Sequence, residues 1–278
     1  MQLSVVIITY NEEANIGRTL HSVQSLVADG KGEIIVVDSG STDRTVEIAK
    51  SLGAKVFVEE WKGFAGQKNS AIEKATGEWI LSLDADEELE RDLPALILYV
   101  TSQPRPRPRQ ELLAAMGAPL PKFDANSYSI RRRNKFMGRW IEHGGYWPDP
   151  KLRLFRRGAG QFESRLVHED ARVEGKTGRI VTGALIHHSY PTLSDYINHM
   201  NHYSLLGAEM VVAKGKVRFS FINIVLRPLF TFIYNYFFRL GFLDGREGLL
   251  LHLYHAVYVS WKYAKAWELS HQKEPMSS

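Results

Sequence analysis

Strand-like and helix-like segments alternate over roughly the first 90 residues, and this alternation constrains the fold more than any other feature of the chain. Short apolar runs rich in β-branched residues predict buried strands at 3–9, 33–38, 55–58 and 78–83. The segments between them predict helices at about 15–26, 45–52 and 64–75. Parallel strands are joined by such crossover helices, so we expect an α/β fold with a mostly parallel sheet flanked by helices.

Polar or acidic turns follow three of these strands: Tyr10-Asn11-Glu12, Asp38-Ser39-Gly40 and Asp84-Ala85-Asp86. The carboxyl ends of parallel strands share one edge of a sheet, where ligands bind. Two carboxylates one residue apart suit Mg²⁺ or Mn²⁺, which would take its other ligands from water and substrate phosphates. The pattern therefore predicts a nucleotide site, and a solvated acidic turn that caps the next helix is the structural alternative.

Composition and absent motifs disfavour several classes of function. No Gly-x-Gly-x-x-Gly follows the first strand and no Gly-x-x-x-x-Gly-Lys-Ser/Thr is present, which argues against NAD enzymes and P-loop NTPases. The chain has no cysteine, so thiolate metal sites and disulfides are excluded. A net charge of +4 suits anionic partners, but without a basic groove interleaved with aromatic residues we expect no nucleic-acid partner.

Three motifs in this order resemble those of the family 2 glycosyltransferases of GT-A (Rossmann-like) fold: residues 5–12 (VVIITYNE), 36–43 (VVDSGSTD) and 83–86 (LDAD). The resemblance implies a nucleotide-sugar donor, usually a UDP-sugar. The resemblance implies that Thr9, Tyr10 and Glu12 line the uracil and ribose pocket and that Asp38 binds the base edge. It also implies that Lys68 lies near the nucleotide, that Asp84 faces the ribose and the metal, and that Asp86 is the principal metal ligand.

Inverting glycosyl transfer needs a base that deprotonates the attacking hydroxyl. The family pattern places it in an acidic pair at Glu169 and Asp170; Glu169 is favoured because Val-His-Glu resembles the relatives most, and Asp170 is the alternative. A carboxylate at a helix start is the structural alternative. Enzymes of this fold often supply a late histidine as a further metal ligand, and either His187 or His188 suits that role, unless they are simple core or surface histidines.

A basic and proline-rich stretch, residues 103–109, cannot form a helix and predicts either a surface linker or an arm that contacts anionic lipid or lipopolysaccharide phosphate. We therefore divide the chain into a catalytic domain, residues 1–192, and a C-terminal helical region, residues 193–278. The catalytic domain comprises a nucleotide-sugar-binding half at 1–100, an insertion or linker at 101–125, and an acceptor half at 126–192.

The C-terminal region contains an apolar, aromatic-rich segment at 219–243 that is long enough to span a bilayer, for which about 20 residues are needed. Arg227-Pro228 lies inside it, and an arginine at mid-depth is costly. Aromatic residues with flanking cations favour helices that lie in the membrane interface, so we expect interfacial or monotopic attachment. Packing into a soluble core and a true span are the alternatives. A second such segment at 248–267 completes a helical hairpin.

Four later motifs, residues 153–155 (RLF), 167–169 (VHE), 187–190 (HHSY) and 241–245 (GFLDG), most resemble those of the WaaE-like lipopolysaccharide core-biosynthesis glycosyltransferases. The resemblance implies an inverting, metal-dependent enzyme that moves a hexose, glucose in those relatives, from a UDP-sugar to a lipid-linked glycan such as the lipopolysaccharide inner core. It also implies peripheral or monotopic work at the cytoplasmic face of the bacterial inner membrane. A catalytically silent nucleotide-sugar-binding membrane adaptor is the alternative function.

Overall fold

The computed structural model describes residues 1–102, 125–163, 171–215 and 217–272. The stretch at 103–109 and most of the expected insertion lie outside the described residues. The chain divides into two compact units. Of the described residues, the first unit holds 1–102, 125–132, 149–163 and 171–188, and the second holds 133–148, 189–215 and 217–272.

The described strands are β1 (Leu3–Thr9), β2 (Gly32–Asp38), β3 (Lys55–Val58), β4 (Trp79–Asp84), β5 (Glu87–Leu89), β6 (Ser127–Phe136), β7 (Arg139–Ile141), β8 (Lys151–Arg156), β9 (Gly160–Phe162), β10 (Ala171–Val173) and β11 (Thr177–Tyr190). The described α-helices are α1 (Ile16–Val27), α2 (Thr45–Ser51), α3 (Gly63–Glu73), α4 (Leu93–Thr101), α5 (Leu193–Val212), α6 (Arg227–Ile233) and α7 (Gly245–Gln272).

The main sheet has the order β3-β2-β1-β4-β8-β6-β11-β5. Its first four strands are parallel, with the predicted helices between them, and the predicted α/β class is confirmed. The expectation of a mostly parallel sheet is wrong for the other half, because β8 runs antiparallel to β4 and to β6, and β5 runs antiparallel to β11. Residues 137–150 between β6 and β8 contain β7 but no helix, whereas the crossover between parallel strands is usually an α-helix.

Both faces of the parallel strands are buried, which explains why their sequences are apolar throughout. Successive side chains point to opposite faces. One face packs against α1 and α4, and the other packs against α3. The first face carries Val5, Ile7, Val36 and Leu81, and the second carries Val6, Ile35, Val37 and Ile80.

The amino ends of these strands are joined by a buried carboxylate, Glu33. It accepts hydrogen bonds from the Ser4 hydroxyl at 2.8 Å and from the Thr76 backbone N–H at 2.8 Å. Burial alone would raise the pKa of Glu33, but the hydrogen bonds from Lys55 and Thr76 lower it to about 2. The next residue, Gly77, lies so close to β1 that an added Cβ would be 2.6 Å from backbone atoms of Leu3 and Ser4.

The second unit is built around α5 and α7, which pack along each other. A capping box begins α5, in which Thr192 and Asp195 each accept a backbone N–H from the other. Near its middle, the Lys265 ammonium donates to Asn201 Oδ1 at 2.6 Å and to Ser204 Oγ at 2.7 Å. Within the described ranges, no helix combines the length and the apolar character that crossing a membrane requires.

One histidine of α7 is buried without polar partners. His252 is 1% exposed, and its ring lies 5.8 Å from the ring of Tyr146 and 6.3 Å from that of Tyr236. Within the described part of the chain, neither ring nitrogen has a hydrogen-bond partner. Burial lowers the pKa of His252 to about 4, and the nearby His255 imidazole contributes to the shift.

Candidate active site

Strand register brings the predicted polar residues of the first unit to one edge of the sheet. Thr9 at the end of β1 pairs with Asp38 at the end of β2, and Ile8 pairs with Asp84 at the end of β4. The carboxyl ends of three neighbouring strands therefore meet there. This is the position where ligands bind in open α/β sheets.

Asp38 is fully buried and shapes the loop that follows β2. Its Oδ1 accepts the backbone N–H of Gly40 at 2.9 Å and of Ser41 at 2.8 Å, and its Oδ2 accepts the Ser41 hydroxyl. Asn11 ties the loop after β1 to this one, because its side-chain oxygen accepts the Thr42 backbone N–H at 2.8 Å. The two loops thus form one rigid rim of the edge.

The residues after β1 provide a buried hydroxyl, an exposed ring and a carboxylate. Within the described residues the Thr9 hydroxyl has no hydrogen-bond partner, whereas the Tyr10 ring is 57% exposed. Burial raises the pKa of Glu12, the hydrogen bond from Asn15 opposes the rise, and the Asp86 carboxylate adds to it. A cation bound nearby would offset the repulsion between the carboxylates of Glu12 and Asp86.

Asp84 is held between two cations. Its Oδ1 lies 2.9 Å from the Lys68 ammonium, and its Oδ2 accepts a hydrogen bond from the Arg153 guanidinium. Burial alone would raise the pKa of Asp84, but the charges of Arg153 and Lys68 hold it well below the usual range. Asp84 is therefore ionised and oriented before any ligand arrives.

Further buried charges extend the ion pair between Asp84 and Arg153. Arg153 also donates to Glu87 Oε1 at 2.6 Å, and Glu87 is fully buried. Arg132 lies 3.2 Å from the same oxygen and donates to Asp149 Oδ2 at 2.7 Å. Sequence reasoning missed Glu87, Arg132 and Arg153 as site residues. The available signal was Arg153 itself, a charged residue between the two leucines of strand β8.

Asp86 is paired with one of the two candidate histidines. His187 Nε2 lies 3.2 Å from Asp86 Oδ2, whereas His188 Nε2 lies 3.5 Å from a different carboxylate, that of Glu88. The two histidines diverge because neighbouring residues of a strand point to opposite sides. The pKa of Asp86 is lowered: burial opposes this shift, and His187 outweighs it.

The donor atoms at this edge suit a divalent cation only in part. In the described ranges, no group of three or more histidine, aspartate or glutamate side chains is arranged to hold an ion. Asp86 and His187 supply one carboxylate and one imidazole, while both oxygens of Asp84 are in ion pairs. These residues fit an ion that takes its remaining ligands from substrate phosphates and water, as Mg²⁺ does.

The predicted bases Glu169 and Asp170 lie outside the described residues, so their role stays a prediction.

Comparison with known proteins gives consistent matches. The family model described as glycosyl transferase family 2 matches residues 4–105. The lipopolysaccharide core biosynthesis glycosyltransferase LpsC of Rhizobium meliloti is 32% identical, over 96% of this chain and 93% of that protein. The uncharacterized glycosyltransferase RT0209 of Rickettsia typhi is also 32% identical, over 97% of this chain and 88% of that protein.

Among solved structures, the mannosyltransferase PcManGT from Pyrobaculum calidifontis, in complex with GDP-Man and Mn²⁺, is similar over 99% of this chain and 76% of that chain. Its sequence identity is 16% and the TM-score is 0.49.

Proposed function

The chain belongs to glycosyl transferase family 2, and on that premise we propose that it moves a hexose from a UDP-sugar to a lipid-linked saccharide acceptor. The name of LpsC supports a lipopolysaccharide core as the acceptor, because the similarity to that relative extends over 96% of this chain, the second unit included. The chemistry is a glycosyl transfer from a nucleotide-sugar. Glucose as the sugar and inversion at the anomeric carbon are parts of the proposal.

The observation that carries this proposal is the charge arrangement at the carboxyl ends of β1, β2 and β4. Asp84 is ionised between Lys68 and Arg153, and Asp86 faces His187. A nucleotide diphosphate brings negative charge, which a metal ion held at this edge would offset, because Lys68 and Arg153 are already paired with carboxylates. Asp86 and His187 would hold Mg²⁺ or Mn²⁺, and Asp84 would face the ribose and the metal.

Each residue has a stated part in the transfer. When bound, the divalent cation supplies charge stabilisation for the departing diphosphate. Thr9, Tyr10 and Glu12 line the nucleoside pocket, and the buried Asp38 and its loop form the pocket wall beside the base edge. Glu169, with Asp170 as the alternative, takes the proton of the acceptor hydroxyl. The hydroxyl oxygen then bonds to the anomeric carbon as the bond to the diphosphate breaks, so a single displacement inverts the configuration.

We also propose that the enzyme works at the cytoplasmic face of the bacterial inner membrane, as a peripheral or monotopic protein. Support comes from the acceptor class, since a saccharide carried on a lipid stays in the plane of a membrane. The apolar composition of residues 219–243 is the second support.

A donor screen tests the enzymatic proposal. The full chain is incubated with Mn²⁺ or Mg²⁺ and each of UDP-glucose, UDP-galactose, UDP-N-acetylglucosamine and GDP-mannose, and nucleotide release and melting temperature are recorded. We expect one UDP-sugar to be hydrolysed or transferred. Asp86→Ala should lose metal-dependent binding, Glu169→Ala should bind donor without reacting, and the exposed control Glu60→Ala should behave as the parent.

Two other outcomes decide against the proposal. Donor binding without turnover under any condition would favour the silent nucleotide-sugar-binding adaptor. No change in melting temperature with any nucleotide and either metal would mean that the strand-end cluster is not a donor pocket. If Asp170→Ala abolishes turnover and Glu169→Ala does not, the base is reassigned to Asp170.

A further inference from the structure

An apolar stripe faces outward on the second unit. Here α6 is flanked by π-helical turns at Ile222–Leu226 and Tyr234–Phe238, so the chain is helical from 222 to 238. Its exposed apolar residues recur every three or four positions, as on one side of a helix. They include Ile222, Leu226, Leu229, Phe230, Ile233 and Phe237, which are 38% to 67% exposed. We call the exposed apolar residues of 222–238 the outer stripe.

The opposite side of this segment is already used within the second unit. Ser260 of α7 donates to the Ile224 carbonyl at 2.8 Å, and Pro228 is buried. The Arg227 guanidinium bonds the Tyr263 hydroxyl and lies 5.1 Å from the centroid of that ring. A surface helix normally turns its apolar side to the core and its polar side to water. Here a second apolar side remains, and a continuous exposed patch of this kind marks an interaction surface.

The charges around the stripe identify its occupant. Residues 217–243 contain three arginines, Arg218, Arg227 and Arg239, and no aspartate or glutamate. All three arginines are exposed. A cationic surface without acids complements an anionic one, and basic residues beside an apolar aromatic face favour helices that lie flat in a lipid headgroup layer. Arg227, near the middle of the segment, would be costly in a spanning helix but not in one that lies flat.

We propose that the outer stripe inserts into the surface of an anionic phospholipid bilayer. The stripe is about 25 Å long at 1.5 Å per residue, and it continues into Leu240, Phe242 and Leu243, which are 43% to 50% exposed. Its apolar side chains enter the acyl boundary, while the exposed Arg218 and Arg239 meet lipid phosphates. This inference rests on the proposed function only in that a lipid-linked acceptor is met on such a surface.

Vesicle co-sedimentation of the full chain, without donor or acceptor, tests this inference. We expect binding to vesicles of phosphatidylcholine with phosphatidylglycerol to be at least about tenfold tighter than to phosphatidylcholine alone, since each arginine at the surface contributes about fivefold. Added salt should weaken the binding. The double variant Phe230→Ser/Phe238→Ser removes rings that are 67% and 74% exposed, and should bind at least about tenfold more weakly.

The matched control is Val58→Ser/Val181→Ser, which removes apolar side chains that are 60% and 45% exposed outside the stripe. It should bind vesicles as the parent does. Equal binding to both vesicle types, or unchanged binding by Phe230→Ser/Phe238→Ser, would overturn the inference. The inference would also be overturned if the parent bound no vesicles but self-associated in sedimentation equilibrium, and if Phe230→Ser/Phe238→Ser abolished that self-association. A second copy of the chain would then cover the stripe. Nucleotide release is measured separately, so either proposal can fail alone.

Discussion

Replacing Arg153 by methionine is expected to destabilise the first unit by about 3 kcal/mol. The Arg153 side chain is 6% exposed and donates to the carboxylates of Asp84 and Glu87. Methionine is flexible enough to fill the space, so the change removes mainly the charge. Breaking a buried ion pair by removing one partner costs about 3–5 kcal/mol. We expect the lower end, because Lys68 still pairs with Asp84 and Arg132 with Glu87.

Thermal and urea denaturation measure this loss. At about 2–4 °C per kcal/mol for a protein of this size, the melting temperature of Arg153→Met should fall by about 6–12 °C. Arg153→Lys keeps the charge but not the planar fork that reaches two carboxylates, so it should fall between the parent and the methionine variant. The matched control is Arg44→Met. The side chains of Arg44 and of its ion-pair partner Glu47 are 69% and 67% exposed, so this variant should melt as the parent does.

The same variant should change the acid dependence of stability. The pKa of Asp84 is well below its usual range when folded, so its ionised form stabilises the fold above the unfolded pKa of about 3.9. That contribution is lost as the pH falls through the folded pKa. Without Arg153 the pKa of Asp84 rises, so the stabilities of parent and variant should converge as the pH falls below about 4.

Two results would refute this reasoning. One is an Arg153→Met variant that melts together with Arg44→Met at neutral pH, which would mean that the buried network contributes nothing net. The other is a stability difference that persists unchanged into acid, which would mean that lost packing, and not charge, causes it.

Three further changes test other parts of the structure. Gly77→Ala should destabilise by about 2 kcal/mol or more in urea denaturation, because its Cβ would overlap backbone atoms; Gly17→Ala, whose Cβ meets its nearest neighbour at 3.5 Å, should be neutral or slightly stabilising, and equal losses would contradict this. Since His252 has a folded pKa of about 4, the parent should lose about 2 kcal/mol of stability between pH 8 and pH 5 that His252→Leu retains; parallel pH curves for the two would exclude this. His187→Ala should weaken Mn²⁺ binding in the presence of UDP at least about tenfold by calorimetry, whereas the neighbouring control His188→Ala should not, and equal effects would reassign the ligand.

Local patterns in the sequence were sufficient for the first half of the sheet. Buried parallel strands need apolar residues at every position, and their crossover helices need amphipathic spacing, so strands and helices alternate visibly along the chain. The polar turns after β1, β2 and β4 were predictable as one cluster, because parallel strands end at the same edge. The sequence alone therefore predicted that Asp84 and Asp86 lie at this shared edge, but it did not predict which residues contact them.

Tertiary structure alone decided the partners of these residues. Arg153 is 69 residues from Asp84 in sequence, and only the antiparallel pairing of β8 with β4 brings the two together. Likewise, the register of β11 against β5 places His187 beside Asp86 and turns His188 toward Glu88. The apolar composition of residues 219–243 predicted a helix that lies in the membrane interface. Which side of this segment is exposed depends on which of its residues α7 covers. Composition and periodicity report local preference, whereas pairing over long sequence separations is decided by register and packing.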